Sequence, residues 1–295
     1  MKKLITKLTL PTRETTNRIH YGKEKLDMIY DHAKIEFNDY GCHETRHPSL
    51  IRLLKAAWDQ CVKSDQSRPE KMIHIDTGDI FNHAADFSFS ITSKDLLDKC
   101  MPNFVFDAWP EVGILDYETT FQELVRAGEV LPVNSRAFWI GANTHPTRVV
   151  ANDLAAQYPD LMDIRMMEWN RRDKTNLYQH TSDYITLVEH CKYRILIDLT
   201  ANGHSGRLPL LLATGRPIIA TDRKYEQWFW FDGSFQPWVH YIPSAETAEG
   251  MLQAVNWTVE NPEKAEMIGK AGQEYAKTHL RRQNAIDRMG KLLNS

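Results

Sequence analysis

From residue 133 onward, apolar and polar positions alternate between two patterns. Short apolar runs at 136–140, 161–166, 193–199 and 216–221 read as buried strands, while 146–157, 181–191 and 205–214 space their apolar side chains three and four apart, the period of a helix. Strands alternating with helices predict a parallel sheet joined by right-handed crossovers. From Ala245 the helical period runs to the C-terminus, and Asn261-Pro262 is its clearest break.

The first half is less regular. Residues 22–38 and 48–64 carry helical spacing, so two helices and no strand are expected there. KMIHID (71–76) is a short apolar run that closes on Asp76-Thr77-Gly78-Asp79, and the alternation in 86–92 and 103–109 predicts two further strands. Val130-Leu131-Pro132-Val133-Asn134 reads as a linker. The expected division is therefore an N-terminal domain, 1–132, and a C-terminal domain, 133–295, with the last helices free to pack back on the first. Two unequal α/β halves suggest a cleft enzyme whose ligand lies at the carboxyl ends of the second sheet's strands.

Composition narrows the partner. With 295 residues, 42% hydrophobic and 25% charged, the chain is an ordinary globular one long enough for two domains. A net charge of −3 argues against a nucleic-acid binder and for a small partner. Cys42, Cys61, Cys100 and Cys191 are scattered, as expected of free thiols in a reducing compartment rather than a disulfide framework or metal knuckle. The opening MKKLITKLTLP is basic, but Lys7 and Pro11 cut its apolar run short of a signal peptide or membrane span, so a cytoplasmic protein is expected.

Four stretches could carry chemistry. Gly203-His204-Ser205-Gly206-Arg207 opens the helix expected at 205–214. It fits either a helix N-terminus that holds an anion, with Arg207 as a bidentate donor, or a capping Ser205 followed by a surface arginine. It has neither the Walker nor the dinucleotide spacing. His43-Glu44-x-x-His47 matches the zincin pattern in form, yet Gly41 and Pro48 flank it, which favours the start of a helix over a metal site. Asp76 and Asp79 stand at a strand end, either as turn aspartates or as a general base for a hydroxyl. The aromatic run at 228–243, with Trp228, Trp230, Trp238 and Tyr241, suits a core more than a stacking platform, and His240 reads as a packed histidine.

Together these blocks resemble a known family. HCKYRILIDLTANGHSGRLPLLLATGRPIIATD, then EQWFWF and PWVHYIP, is similar to the CAP10-like glycosyltransferases, family 90. The resemblance rests on Lys192-Tyr193 before a buried strand, Ser205-Gly206-Arg207 opening a helix, and Pro237-Trp238-Val239-His240-Tyr241-Ile242-Pro243. Weaker matches are Trp139-Ile140-Gly141-Ala142-Asn143-Thr144 and Ser88–Ser93, and roughly the first sixty residues match nothing.

The resemblance implies a GT-B fold, α/β with two Rossmann-like domains facing a cleft and C-terminal helices. It implies an inverting transferase that needs no metal or other cofactor and moves glucose or xylose from a UDP-sugar to a glycan or glycolipid hydroxyl. On this reading Asp79 is the base, with Asp76 as second choice, although the family's neighbouring Arg and Tyr are missing. Arg207 grips the donor diphosphate, and Ser205, Gly206, Gly203, His204, Asn143, Thr144 and Lys192 complete the nucleotide-sugar site. A compact bacterial or viral form is implied, acting in surface polysaccharide or lipopolysaccharide synthesis, with peripheral membrane association through the acceptor. Two other readings stand beside it: a zinc hydrolase built on His43, Glu44 and His47, and a nucleotide-sugar binder without catalysis.

Overall fold

The computed structural model describes residues 25–40, 45–63, 65–67, 69–167 and 185–295. Strands β1 (Lys25–Tyr30) and β2 (Ile35–Asp39) form an antiparallel hairpin, followed by helix α1 (Arg46–Cys61), strands β3 (Lys71–Asp76) and β4 (Phe87–Ser88), and helix α2 (Tyr117–Glu129). The second half runs β5 (Asn134–Ala142), α3 (Pro146–Gln157), β6 (Met162–Met167), α4 (Leu187–His190), β7 (Tyr193–Asp198), α5 (Leu208–Ala213), β8 (Ile218–Thr221), α6 (Trp228–Phe231) and β9 (Ile242–Ser244). Helices α7 (Ala248–Glu260), α8 (Pro262–His279) and α9 (Arg282–Asn294) end the chain.

The second sheet is parallel throughout, in the order β6-β5-β7-β8-β9. Its inner strands β7 and β8 are largely apolar because both faces are covered, whereas the edge strand β6 carries Asp163 and Arg165 and is half-buried. Phe138, Ile140, Leu196 and Ile218 face a core shared with the first half and α9, whereas Ala137, Trp139, Ile195, Ile197 and Ile219 face the helices on the other side. The C-terminal α9 lies on α1, where the Tyr30 hydroxyl donates to the Leu293 carbonyl at 2.8 Å.

The first half departs from expectation in three places. Residues 25–39 form a hairpin where a helix was expected over 22–38; the part of that segment before residue 25 lies outside the described residues. Its turn is built by Asp31, whose carboxylate accepts from the Ala33 and Lys34 amides. Residues 103–109 are not a strand: Phe104–Phe106 make a short 3-10 helix that the Asn103 side chain caps, and all three are buried. The strand expected at 86–92 shortens to Phe87–Ser88 plus a bridge from Ile91 to Glu226. The first sheet, order β2-β1-β3-β4, is antiparallel except at β3–β4, so the described residues of this half do not form a second Rossmann-like parallel sheet.

Of the cysteines, Cys61, Cys100 and Cys191 are free thiols. No helix among the described residues is long and apolar enough to cross a membrane.

Candidate active site

All strands of the second sheet deliver their carboxyl ends to one edge, and the chain leaves β5 for β6 on one side and reaches β7 on the other. This reversal opens a crevice between the loops after β5 and β7, where open α/β sheets hold ligands. A cleft of ≈ 380 Å³ lies at this edge. His145 contributes from the loop after β5, Thr200 to Gly203 from the loop after β7, Asp222 to Tyr225 from that after β8, and Glu246 from beyond β9.

Beneath the cleft lies a buried group of charges. Asp198, the last residue of β7 and 1% exposed, accepts from Arg223 Nη1 at 2.9 Å and from the Ser205 hydroxyl at 2.8 Å, and stands 3.6 Å from Arg207 Nε. Burial alone would raise its carboxyl, but Arg223 and Arg207 outweigh that and hold it below the usual carboxylate range. Arg223 also pairs with Glu226 at 2.9 Å, and burial, aided by Asp198 and opposed by Arg223, lifts Glu226 to about 7. Such charges hold their place because each partner makes further hydrogen bonds.

Arg207 donates to the Ile140 carbonyl at 2.7 Å, and its guanidinium lies over the Trp139 ring at 5.4 Å. Arg148, from the first turn of α3, lies over the same ring at 5.0 Å and is fixed by the Thr200 and Ala142 carbonyls at 3.1 and 2.5 Å. Burial lowers Arg148 to about 10, and the charge of Arg207 adds to the effect. Two cations are therefore gathered where β5 and β7 diverge.

The candidate base comes from the first half. Asp79, in the loop after β3, is 53% exposed and pairs with Arg46 at a long 3.5 Å. Gly203 lies directly against it: a Cβ built on Gly203 would stand 1.7 Å from the Asp79 carbonyl oxygen, an approach only glycine permits. Asp76 serves the turn, since its carboxylate accepts from the Gly78 amide at 2.8 Å and the Asn82 side chain at 2.7 Å.

The structure thus brings Asp79, Gly203, His204, Ser205, Gly206 and Arg207 together at one edge, with Asn143 and Thr144 exposed in the loop after β5. Ser205 is not a cap; α5 begins at Leu208 rather than 205, and the hydroxyl goes to Asp198. Lys192 is not brought there. It precedes β7, about 20 Å from the cleft by strand rise, and pairs with Glu189 at 3.0 Å. His43 and Glu44 lie outside the described residues, and His47 is fully buried with its ring nitrogens on Asp39 at 2.5 Å and Thr77 at 2.8 Å, which makes it a structural link from α1 to the strands. Reading the sequence missed Arg148, Asp198, Arg223, Tyr225 and Glu246. The order of strands brings these residues together, and their local spacing carries no sign of it.

The aromatic run behaves as a core. Trp228, Phe229, Phe235 and Tyr241 are buried and His240 stacks on Phe235 at 5.7 Å, while Trp238 is half exposed in a turn.

Comparison with known proteins gives the same direction. The chain is 28% identical to Protein O-glucosyltransferase 2 of Danio rerio over 148 residues, 50% of this chain and 29% of the relative. It is 27% identical to Protein O-glucosyltransferase 1 of Homo sapiens over 207 residues, 66% and 52% of the two chains. To the O-glucosyltransferase rumi homolog of Anopheles gambiae it is 26% identical over 170 residues, 54% and 42%. The chain thus spans about half the length of these relatives or less. The model of glycosyl transferase family 90 matches residues 73–295, which takes in both Asp79 and the cleft, and the chain belongs to that family.

Proposed function

We propose that this protein is an inverting glycosyltransferase that takes a sugar from a UDP-sugar, glucose or xylose being favoured, and transfers it to a hydroxyl without a metal. The observation that carries the reading is the contact of Gly203 with Asp79: the wall of the cleft and the candidate base touch. A nucleotide in the cleft would direct its diphosphate to Arg207 and Arg148, whose fixed guanidinium groups can take the charge that develops on the leaving group. Asp79, exposed and lightly held, would take the proton of the acceptor hydroxyl from the other half of the chain. Such a division of labour is what a GT-B enzyme has, and on this reading the halves 1–132 and 133–295 are the acceptor and donor sides. Ser205, Gly206, Gly203, Asn143 and Thr144 belong to the donor side, and Lys192 does not.

Two of these relatives are protein O-glucosyltransferases by name, which favours a protein hydroxyl as acceptor alongside the glycan and glycolipid acceptors implied by the family resemblance. A thermal-shift panel of UDP, GDP and CMP with their sugars tests the donor, because a true ligand raises stability by an amount set by its concentration over its dissociation constant. UDP and one UDP-sugar are expected to raise the midpoint equally in the presence and absence of EDTA. A response confined to GDP or CMP, or lost with EDTA, would overturn this reading.

A further inference from the structure

One histidine at the seam between the halves has a proton whose position can be worked out from its neighbours. The Asn103 Oδ1 accepts from the Val105 amide at 3.0 Å, so the orientation of that side chain is anchored by the backbone. Its Nδ2 then faces Gln227 Oε1 at 3.3 Å and His204 Nε2 at 2.7 Å. Gln227 is oriented in turn by donating to the Ser205 carbonyl at 2.9 Å. An amide NH₂ only donates, so His204 Nε2 accepts, and a neutral imidazole must carry its proton on Nδ1. Burial keeps the ring neutral by lowering it to about 4; Asp79 opposes this, and Arg46 and Arg223 reinforce it.

That Nδ1 is buried and has no hydrogen-bond partner among the described residues. A buried donor left unpaired is unfavourable, and native structures rarely keep one without a reason. The residue before it, Gly203, touches Asp79, and three residues after it Arg207 stands by the crevice. On the donor reading, a sugar held between Arg207 and Asp79 would lie next to His204, whose chain neighbour Gly203 lines the cleft. Arg207 and Arg148 already supply charge for the diphosphate, and a neutral N–H suits an uncharged hydroxyl.

We propose that His204 donates its Nδ1–H to a hydroxyl of the transferred sugar, and that Asn103 is the positioning residue that fixes this tautomer. The proposal rests on the donor reading above, and two measurements keep their failures apart. Long-range ¹⁵N–¹H spectra of the ligand-free protein should show His204 protonated on Nδ1 and not on Nε2, and Asn103→Asp, which offers a carboxylate in place of the NH₂, should move the proton to Nε2. A wild-type ring protonated on Nε2 overturns the proposal whatever the donor is. By calorimetry, His204→Ala should weaken the stabilising UDP-sugar about tenfold while leaving UDP within about twofold, the loss of one hydrogen bond. His204→Gln, which retains an N–H, should recover part of the loss. Equal weakening of UDP and UDP-sugar by His204→Ala would contradict the role. A wild-type protein that binds no uridine nucleotide sinks the donor reading, and the spectra still decide the tautomer.

Discussion

Asp198 and Asp79 are both carboxylates at the carboxyl ends of strands, and the molecule treats them in opposite ways. Asp198 is almost fully buried and is gripped by Arg223, Ser205 and Arg207. Asp79 is half exposed and pairs only loosely with Arg46, at 3.5 Å. The first arrangement fixes its charges in place, as the proposed diphosphate site requires; the second leaves an exposed carboxylate open to solvent, as the proposed base requires. On the proposed reading the donor side is pre-organised from within the parallel sheet, whereas the candidate base is lent by a loop of the other half, joined to it where Gly203 meets the Asp79 backbone.

Removing the buried carboxylate should have the largest effect on stability. Asp198→Ala leaves Arg223 with Glu226 alone and Arg207 without its counter-charge, and is expected to cost about 3 kcal/mol in urea unfolding, together with loss of UDP binding. A cost under about 1 kcal/mol would mean that the carboxylate does not organise the donor side. Next comes the joint between the two regions. Gly203→Ala places a methyl against the Asp79 carbonyl, so turnover should fall about tenfold or more with UDP affinity changed less, as when a reacting group is displaced. Unchanged turnover would separate the cleft from Asp79. Least affected should be Lys192→Ala, at the far end of β7, with donor affinity within about twofold of wild type as for an exposed ion pair. A larger loss would restore Lys192 to the site and shift the cleft from where the strand ends place it.

The parallel half was legible because its inner strands are buried on both faces and so appear as largely apolar runs, as in residues 193–198, and because Pro146 and Asn261-Pro262 mark helix boundaries. The hairpin at 25–39 was not. Its turn, Asp31 to Lys34, lacks the glycine and proline that usually announce one, and its apolar residues happen to fall at helical intervals. In 103–109 the alternation misled because Phe104, Val105 and Phe106 are buried on all sides, so no face of a sheet is implied. Within the candidate site, Arg207 and Asp79 could be singled out because each lies in a short stretch that the family resemblance marks. Arg148 and Arg223 could not, since their meeting with Arg207 or Asp198 depends on which strands become neighbours in the sheet.

If the cleft binds the donor and Asp79 acts on the acceptor, Asp79→Asn, which keeps the shape of the loop and removes the base, separates the two roles. With the wild-type UDP-sugar, and an acceptor drawn from a glycan and peptide panel on wild-type turnover, UDP release should fall about 100-fold or more while the dissociation constant for UDP stays within about twofold. Turnover within about threefold of wild type, or a parallel loss of UDP affinity, would contradict the account.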